Sequence, residues 1–150
     1  MMKKNNGFIL LELIVVLFLA TIIMGMSVVL FANFLPSSRL DATVRNIAAT
    51  IKYARSLAQI HNESQTVVID LDARQYGIEG RAFKDIPSGI GIKVIDPVSG
   101  EIREGKYFFL FPATGSIEGG TIVVWNAKKS MTIQTDPVLG SVSIQSAESS

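Results

Sequence analysis

The chain has 150 residues, 48% of them hydrophobic, and its 14 basic and 13 acidic side chains leave a formal net charge of +1. This length allows one modest domain beyond a membrane anchor. The balanced charge supplies no strongly basic field that would attract nucleic acid. The sequence contains no cysteine, which excludes disulfides, thiolate metal sites and thiol nucleophiles.

The first element is an apolar run over residues 8–35, preceded by a short hydrophilic segment that contains Lys3 and Lys4. As an α-helix the run would be about 42 Å long, which exceeds the roughly 30 Å hydrocarbon thickness of a bilayer. A secretory signal peptide is the competing interpretation, but its apolar core is shorter and a small-residue cleavage site follows it. We therefore predict a single membrane span, with Lys3 and Lys4 holding the N-terminus in the cytoplasm.

Glu12 is the one ionisable side chain in this run. A carboxylate near the centre of a membrane helix costs about 2.5–3.5 kcal/mol, and less near the end of the helix, so its presence suggests a functional partner. The alternative is an acid close enough to the membrane interface to stay hydrated.

The N-terminal residues resemble the class III signal of type IV pilins and type II secretion pseudopilins. The resemblance rests on Lys3, Lys4, Gly7, Phe8, Leu10, Leu11, Glu12 and Leu13. It implies that a membrane-embedded prepilin peptidase cuts between Gly7 and Phe8 and that Phe8 is then N-methylated. Glu12 becomes the fifth residue of the mature chain, where this family keeps a glutamate, while Ile9 stands where many members have threonine.

The spacing between the expected cleavage site and Glu12 also has a direct chemical interpretation. Cleavage after Gly7 would leave a cationic amine on Phe8, and Glu12 lies one helical turn away or opposite the amine of an adjacent, axially staggered subunit. A charge pair in lipid satisfies both partners, whereas removing one partner leaves a costly unpaired charge. We therefore assign Glu12 to subunit register in an assembly and not to catalysis.

The apolar run is followed by Pro36, which predicts a kink or break because proline lacks an amide hydrogen and disfavours helical geometry in the residue before it. An amphipathic helix comes next and ends near Asn62. Its apolar positions are spaced by three or four residues: Leu40, Val44, Ile47, Ile51, Ala54 and Ala58. We expect this stripe to pack on a sheet; a linker helix without such packing is the alternative.

Downstream of Ser64 the apolar residues alternate with a period of two, which predicts β-strands. The predicted strands cover residues 67–71, 90–95, 107–111, 121–125, 130–135 and 141–145. Their short connections predict a mostly antiparallel sheet, and hence an α+β, pilin-like fold in which the helix covers the sheet. The run at 107–111 is apolar on both faces, so we expect it to be a central strand, or else to expose one side to a partner.

Further positions are similar to the H-type minor pseudopilins of the GspH/FimT family. They are residues 53–58, 66–70, 111–112, 115, 119–122, 140 and 142. With the N-terminal signal, the resemblance implies five segments. These are a leader at 1–7, a membrane and assembly helix at 8–35, an amphipathic helix at 36–63, a periplasmic β-rich domain at 64–145 and a tail at 146–150.

The implied function is that of a minor pseudopilin at or near the tip of the periplasmic pseudopilus of type II secretion. The implied partners are other pseudopilins, the prepilin peptidase and methyltransferase, and the inner-membrane assembly platform. One alternative is a minor pilin of a type IV pilus that primes fibres or captures DNA, for which Lys128 and Lys129 beside Trp125 are the candidate contacts, although a charged hairpin turn explains them as well. The other alternative is an uncleaved, signal-anchored periplasmic binding domain.

Catalytic and metal-binding chemistry has little support in the sequence. His61 is the only histidine and sits where a helix end favours it, so no histidine-rich metal site can form. Two groups of oxygen side chains could bind calcium: Asp70 with Asp72, and Asp96 with Ser99 and Glu101. Neither group matches an EF-hand loop, and solvated carboxylates are the preferred interpretation. We therefore predict no enzyme, no cofactor, no metal site and no nucleic-acid partner.

Overall fold

A long helix, α1, occupies Asn6–His61. The computed structural model describes the backbone of residues 6–148 except 115, 117, 118, 138 and 139, and the side chains of the same residues except 6–8, 28–36 and 148. The predicted break at Pro36 is not present, because α1 continues through this residue; a proline removes one N–H donor, and a helix of this length continues past that loss. The chain divides into two compact units after Pro36, Met1–Pro36 and Ser37–Ser150.

In the first unit, the segment Ile9–Ser27 of α1 is apolar, with a mean hydropathy of 2.7 over 19 residues. Its side chains are exposed throughout. By length and composition this segment can cross a membrane. It is the one such helix in the part of the chain that the structure describes.

In the second unit, residues 37–61 of α1 bury one face. The side chains of Leu40, Val44, Ile47, Ile51, Ala54 and Ala58 are each 0% exposed. The helix ends at His61, and Asn62 has a positive φ of 52°, the left-handed conformation that commonly follows a helix. The Glu63 amide donates to the Ala58 carbonyl at 3.2 Å, which satisfies one of the last carbonyl groups.

The described residues after α1 contain nine strands, all paired antiparallel. They are β1 (Gln65–Asp70), β2 (Gln75–Ile78), β3 (Lys84–Asp85), β4 (Gly91–Asp96), β5 (Gly100–Ile102), β6 (Lys106–Phe111), β7 (Gly120–Trp125), β8 (Lys129–Thr135) and β9 (Val142–Glu148). The first sheet has the order β3-β2-β1-β6 and the second sheet the order β5-β4-β7-β8-β9. The predicted α+β class is confirmed, but the strands form two sheets where one was expected.

The buried face of α1 and one face of each sheet share a single hydrophobic core. The largest strand side chains that it buries completely include Ile69, Phe109, Phe111, Ile122 and Ile133. In β6 and β7 the buried residues occupy alternate positions, as expected for strands with one face inward. A β domain of about 80 residues is marginal alone because it buries only a modest share of its surface, and the helical stripe adds to its core.

The strand β6 lies at an edge of the first sheet, so the prediction of a central strand is wrong. Phe109 and Phe111 are buried, whereas Phe108 and Leu110 on the other face are 52% and 41% exposed. Apolar residues on both faces of β6 therefore do not mean that both faces are buried. The structure agrees with the alternative expectation, a strand that exposes one side.

Three short strands, β2, β3 and β5, were not predicted. At the end of the chain, β9 continues to Glu148 and pairs with β8 over its whole length, so three residues assigned to the tail belong to the second sheet. β9 forms an edge of that sheet.

Candidate functional site

The predicted processing and assembly residues lie at the start of α1. Lys3 and Lys4 are outside the described residues, and the backbones of Gly7 and Phe8 are helical. The side chain of Glu12 is exposed within the apolar segment, and its carboxylate forms no hydrogen bond or ion pair with any described residue. A carboxylate in this position needs a hydrogen-bonding or charged partner if the segment enters lipid, because the helix itself supplies none.

The carboxylate of Asp96 connects the second sheet to the first. Its Oδ1 accepts the backbone N–H groups of Val98 (2.9 Å) and Ser99 (2.6 Å) in the turn between β4 and β5. Its Oδ2 accepts the hydroxyl of Tyr107 on β6 at 2.6 Å. The Tyr107 hydroxyl, followed by the two backbone amides, lowers the pKa of Asp96 to about 2.

The side chain of Arg55 ties α1 to the turn between β8 and β9. Its guanidinium donates to the Gly140 carbonyl, and Gly140 has a positive φ of 61°. The Arg55 Nε is buried without a hydrogen-bond partner among the described residues. Sequence analysis did not find this link, because its two residues lie on elements that are far apart in the chain.

The other calcium candidates already have partners within the protein. The Ala73 amide, which donates to Asp70 at 2.8 Å, and the nearby Lys106 ammonium lower the pKa of Asp70. Asp72 accepts the Gly105 amide at 3.0 Å. Hydrogen bonds from Lys93 and Arg103 lower the pKa of Glu101. In the described part of the chain, no three acidic or histidine side chains are grouped as a metal site would require.

A cleft of about 400 Å³ on the second sheet brings Trp125 together with three cations. The indole ring lies over Gly91, its register partner on β4. Lys93 and Arg103 both pair with Glu101, and Lys129 donates to Asp41 on α1 at 2.6 Å. Of the two lysines considered as DNA contacts in the alternative function, Lys129 lines this cleft, and each of the three lining cations contacts a carboxylate.

The fold of this chain is that of the pseudopilins. An apolar helical segment continues into a helix that is buried against antiparallel sheets. A solved structure with this fold is the minor pseudopilin EpsH from the Type 2 Secretion System of Vibrio cholerae. The two structures match with a TM-score of 0.62 over 75% of this chain and 99% of the EpsH chain, at 8% sequence identity. A likeness at this identity shows the fold. A scan against protein-family models finds no match for the chain, and neither does a search of the curated proteins.

Proposed function

We propose that this chain is a minor pseudopilin of the H type, which is built into the periplasmic pseudopilus of a type II protein secretion system at or near the tip. The observation that carries the proposal is Glu12, a lone carboxylate near the start of an exposed apolar helix in a chain with the pseudopilin fold. The matched protein, EpsH, is itself a minor pseudopilin of such a system.

In this proposal the precursor is inserted in the inner membrane, with its N-terminus in the cytoplasm and the β domain in the periplasm. The prepilin peptidase cuts between Gly7 and Phe8 and methylates the new amine on Phe8. An inner-membrane platform then moves the mature chain from the membrane into the fibre. The work of the protein is mechanical, and we propose no catalytic reaction, cofactor or metal for it.

Two parts of the molecule would serve assembly. The exposed side chains of Ile9–Ser27 would pack against the same helices of other pseudopilins, which supplies cohesion once the helix leaves lipid. Glu12 would pair with the amine of Phe8 in a neighbouring subunit, and this pair would set the axial register. The buried helical stripe would keep the β domain folded when force is applied to α1 during assembly.

The test is the N-terminal mass of the protein purified from its native membrane. We expect an N-methylated Phe8 at the N-terminus, and replacing Gly7 with a bulky residue should leave a precursor that still carries Lys3 and Lys4. An intact N-terminus in a host with an active prepilin peptidase would overturn the proposal in favour of an uncleaved anchored domain. If Phe8 is methylated, purification with type II secretion or with type IV pilus subunits separates the two fibre systems.

A further inference from the structure

A second, smaller pocket lies in the Ser37–Ser150 unit, between α1 and the segment that joins β2 to β3. Its volume is about 160 Å³. Thr50 and Tyr53 border it from α1, Tyr76 from β2, and Arg81 and Lys84 from the connecting segment and β3. A space of this size can take one small charged group.

The charged groups of this pocket are all positive. Arg81 and Lys84 line it, no acidic side chain does, and neither cation forms an ion pair with a described residue. The guanidinium carbon of Arg81, an exposed residue, lies 5.7 Å from the centre of the Tyr53 ring, which is a cation–π contact. The larger cleft beside Trp125 differs, because Lys93, Arg103 and Lys129 there each contact Glu101 or Asp41.

The phenol of Tyr76 adds an unused donor. The side chain is 2% exposed, and the structure shows no hydrogen bond from its hydroxyl to any described residue. The hydroxyl oxygen itself is reached by solvent, since it is not one of the buried side-chain atoms that lack a partner among the described residues, so it is free to donate to water or to a group in the pocket. Burial raises the pKa of Tyr76, which keeps the hydroxyl protonated and able to donate.

We propose that this pocket binds one carboxylate group, held by the guanidinium of Arg81 and the ammonium of Lys84. A carboxylate fits the planar fork of an arginine and would supply the negative charge that the pocket lacks. The carboxylate can be carried by a free small acid or by a glutamate or aspartate side chain of another protein. The inference does not depend on the proposed function, since it rests on residues 50–84 alone.

The tyrosines provide the readout. The chain has three, of which Tyr53 and Tyr76 line the pocket, while Tyr107 lies on β6 and binds Asp96. The full chain, labelled with ¹³C in its tyrosine rings and held in neutral maltoside micelles at constant chloride, is titrated with acetate and with N-acetyl-glutamate amide. The uncharged probe is N-acetyl-glutamine amide. We expect saturable shifts of the Tyr53 and Tyr76 signals with a carboxylate, and none with the glutamine probe.

Variants decide whether the two cations are responsible. Arg81→Gln with Lys84→Gln should weaken binding about tenfold or more, whereas Arg39→Gln with Arg45→Gln removes the same charge from exposed helix positions and should leave binding unchanged. The Tyr107 signal reports whether each variant is folded, and Lys84→Gln alone is the milder substitute if the double variant is not.

Saturation by both carboxylates supports a site for free acids, and saturation by the glutamate probe alone supports a protein side chain. The proposal would be overturned if neither carboxylate gave saturable shifts, or if the carboxylates bound the double variant as tightly as the wild type.

Discussion

The contact between Asp96 and Tyr107 depends on the charge of one carboxylate. The pKa of Asp96 is lowered from its ordinary 3.8 to about 2, because its charged form accepts the Tyr107 hydroxyl and two backbone amides. A carboxyl group with a lower pKa in the folded state stabilises that state above its unfolded pKa. The stabilisation is therefore complete above 3.8 and is lost as the pH falls from 3.8 to about 2.

For this reason Asp96→Asn should be less stable than the wild type at neutral pH, and the difference should shrink between pH 3.8 and about 2. Urea unfolding at a series of pH values, followed by the fluorescence of the only tryptophan, Trp125, measures the difference. Glu104→Gln, at an exposed position in the following turn, is the control and should show no such convergence. A constant gap between wild type and Asp96→Asn across this range would contradict the assignment.

At Gly91, the absence of a side chain is what allows the indole of Trp125 to lie against the sheet. A Cβ at this position would stand 2.2 Å from the ring. Gly91→Ala should therefore cost about 1–3 kcal/mol, as is usual for overpacking. In a Trp125→Leu background the same substitution should cost much less, and far-UV circular dichroism in urea gives both values of the double-mutant cycle. Equal costs in the two backgrounds would show that the ring is not the obstacle.

At the level of elements, the central feature is the buried face of α1. Ile47 is 0% exposed at the middle of the stripe, whereas Ile60, near the end of the same helix, is 76% exposed. Ile47→Ala should cost about 2–5 kcal/mol through lost burial and the cavity left behind. Ile60→Ala, the same chemical change, should stay within about 0.5 kcal/mol of the wild type. Urea midpoints of the two variants test this difference, and a similar loss in both would mean that the stripe does not carry the core.

The helix and the long strands could be predicted from the sequence because their patterns are local. A spacing of three and four residues between apolar positions identifies the buried face of a helix, whichever element packs against it. Alternation over 121–125 and 130–135 identifies strands in the same way, without knowledge of the neighbouring strands. The helix end at His61 also has a local cause in the residue that follows it, Asn62.

Other elements depend on neighbours that are distant in the chain. Periodicity shows which faces are apolar but not which strand lies alongside, so the edge position of β6 could not be predicted. The strands β3 and β5 have two and three residues, too few to show a period, and are defined by the strands they pair with. The two sheets, the Arg55 link to Gly140 and the pocket around Tyr76 were missed for the same reason. Each is formed by tertiary contacts.

At the scale of the whole molecule, the proposed function requires the exposed apolar segment and the β domain to act as parts of one assembling subunit, and Glu12 is the residue that tests this. Under the proposed function, Glu12→Val should still be cleaved and remain in the membrane. Its recovery with the other pseudopilins after crosslinking should fall about tenfold or more, because the Phe8 amine of a neighbour is left as an unpaired charge.

The matched control for Glu12 is Thr21→Val in the same segment. It also removes a polar group, but that group is already satisfied, since the Thr21 hydroxyl donates to the Phe18 carbonyl at 2.7 Å. Thr21→Val should enter the fibre normally. Normal recovery of Glu12→Val, or equal losses in the two variants, would count against a register role for the carboxylate.

The strand order has a consequence for how the domain can be divided. The first sheet pairs β1 with β6, and between them in the chain lie β4 and β5, which belong to the second sheet. Synthesis of the chain must therefore reach Phe111 before the first sheet can be completed. By then β4 and β5, which belong to the second sheet, have already been synthesised. Closing so long a loop is slow compared with forming a hairpin. Neither sheet is a continuous stretch of sequence, so neither can be excised, transplanted or exchanged between relatives as a module. A chimera that preserves this domain must take residues 37–148 together, because the buried face of α1 belongs to the same core.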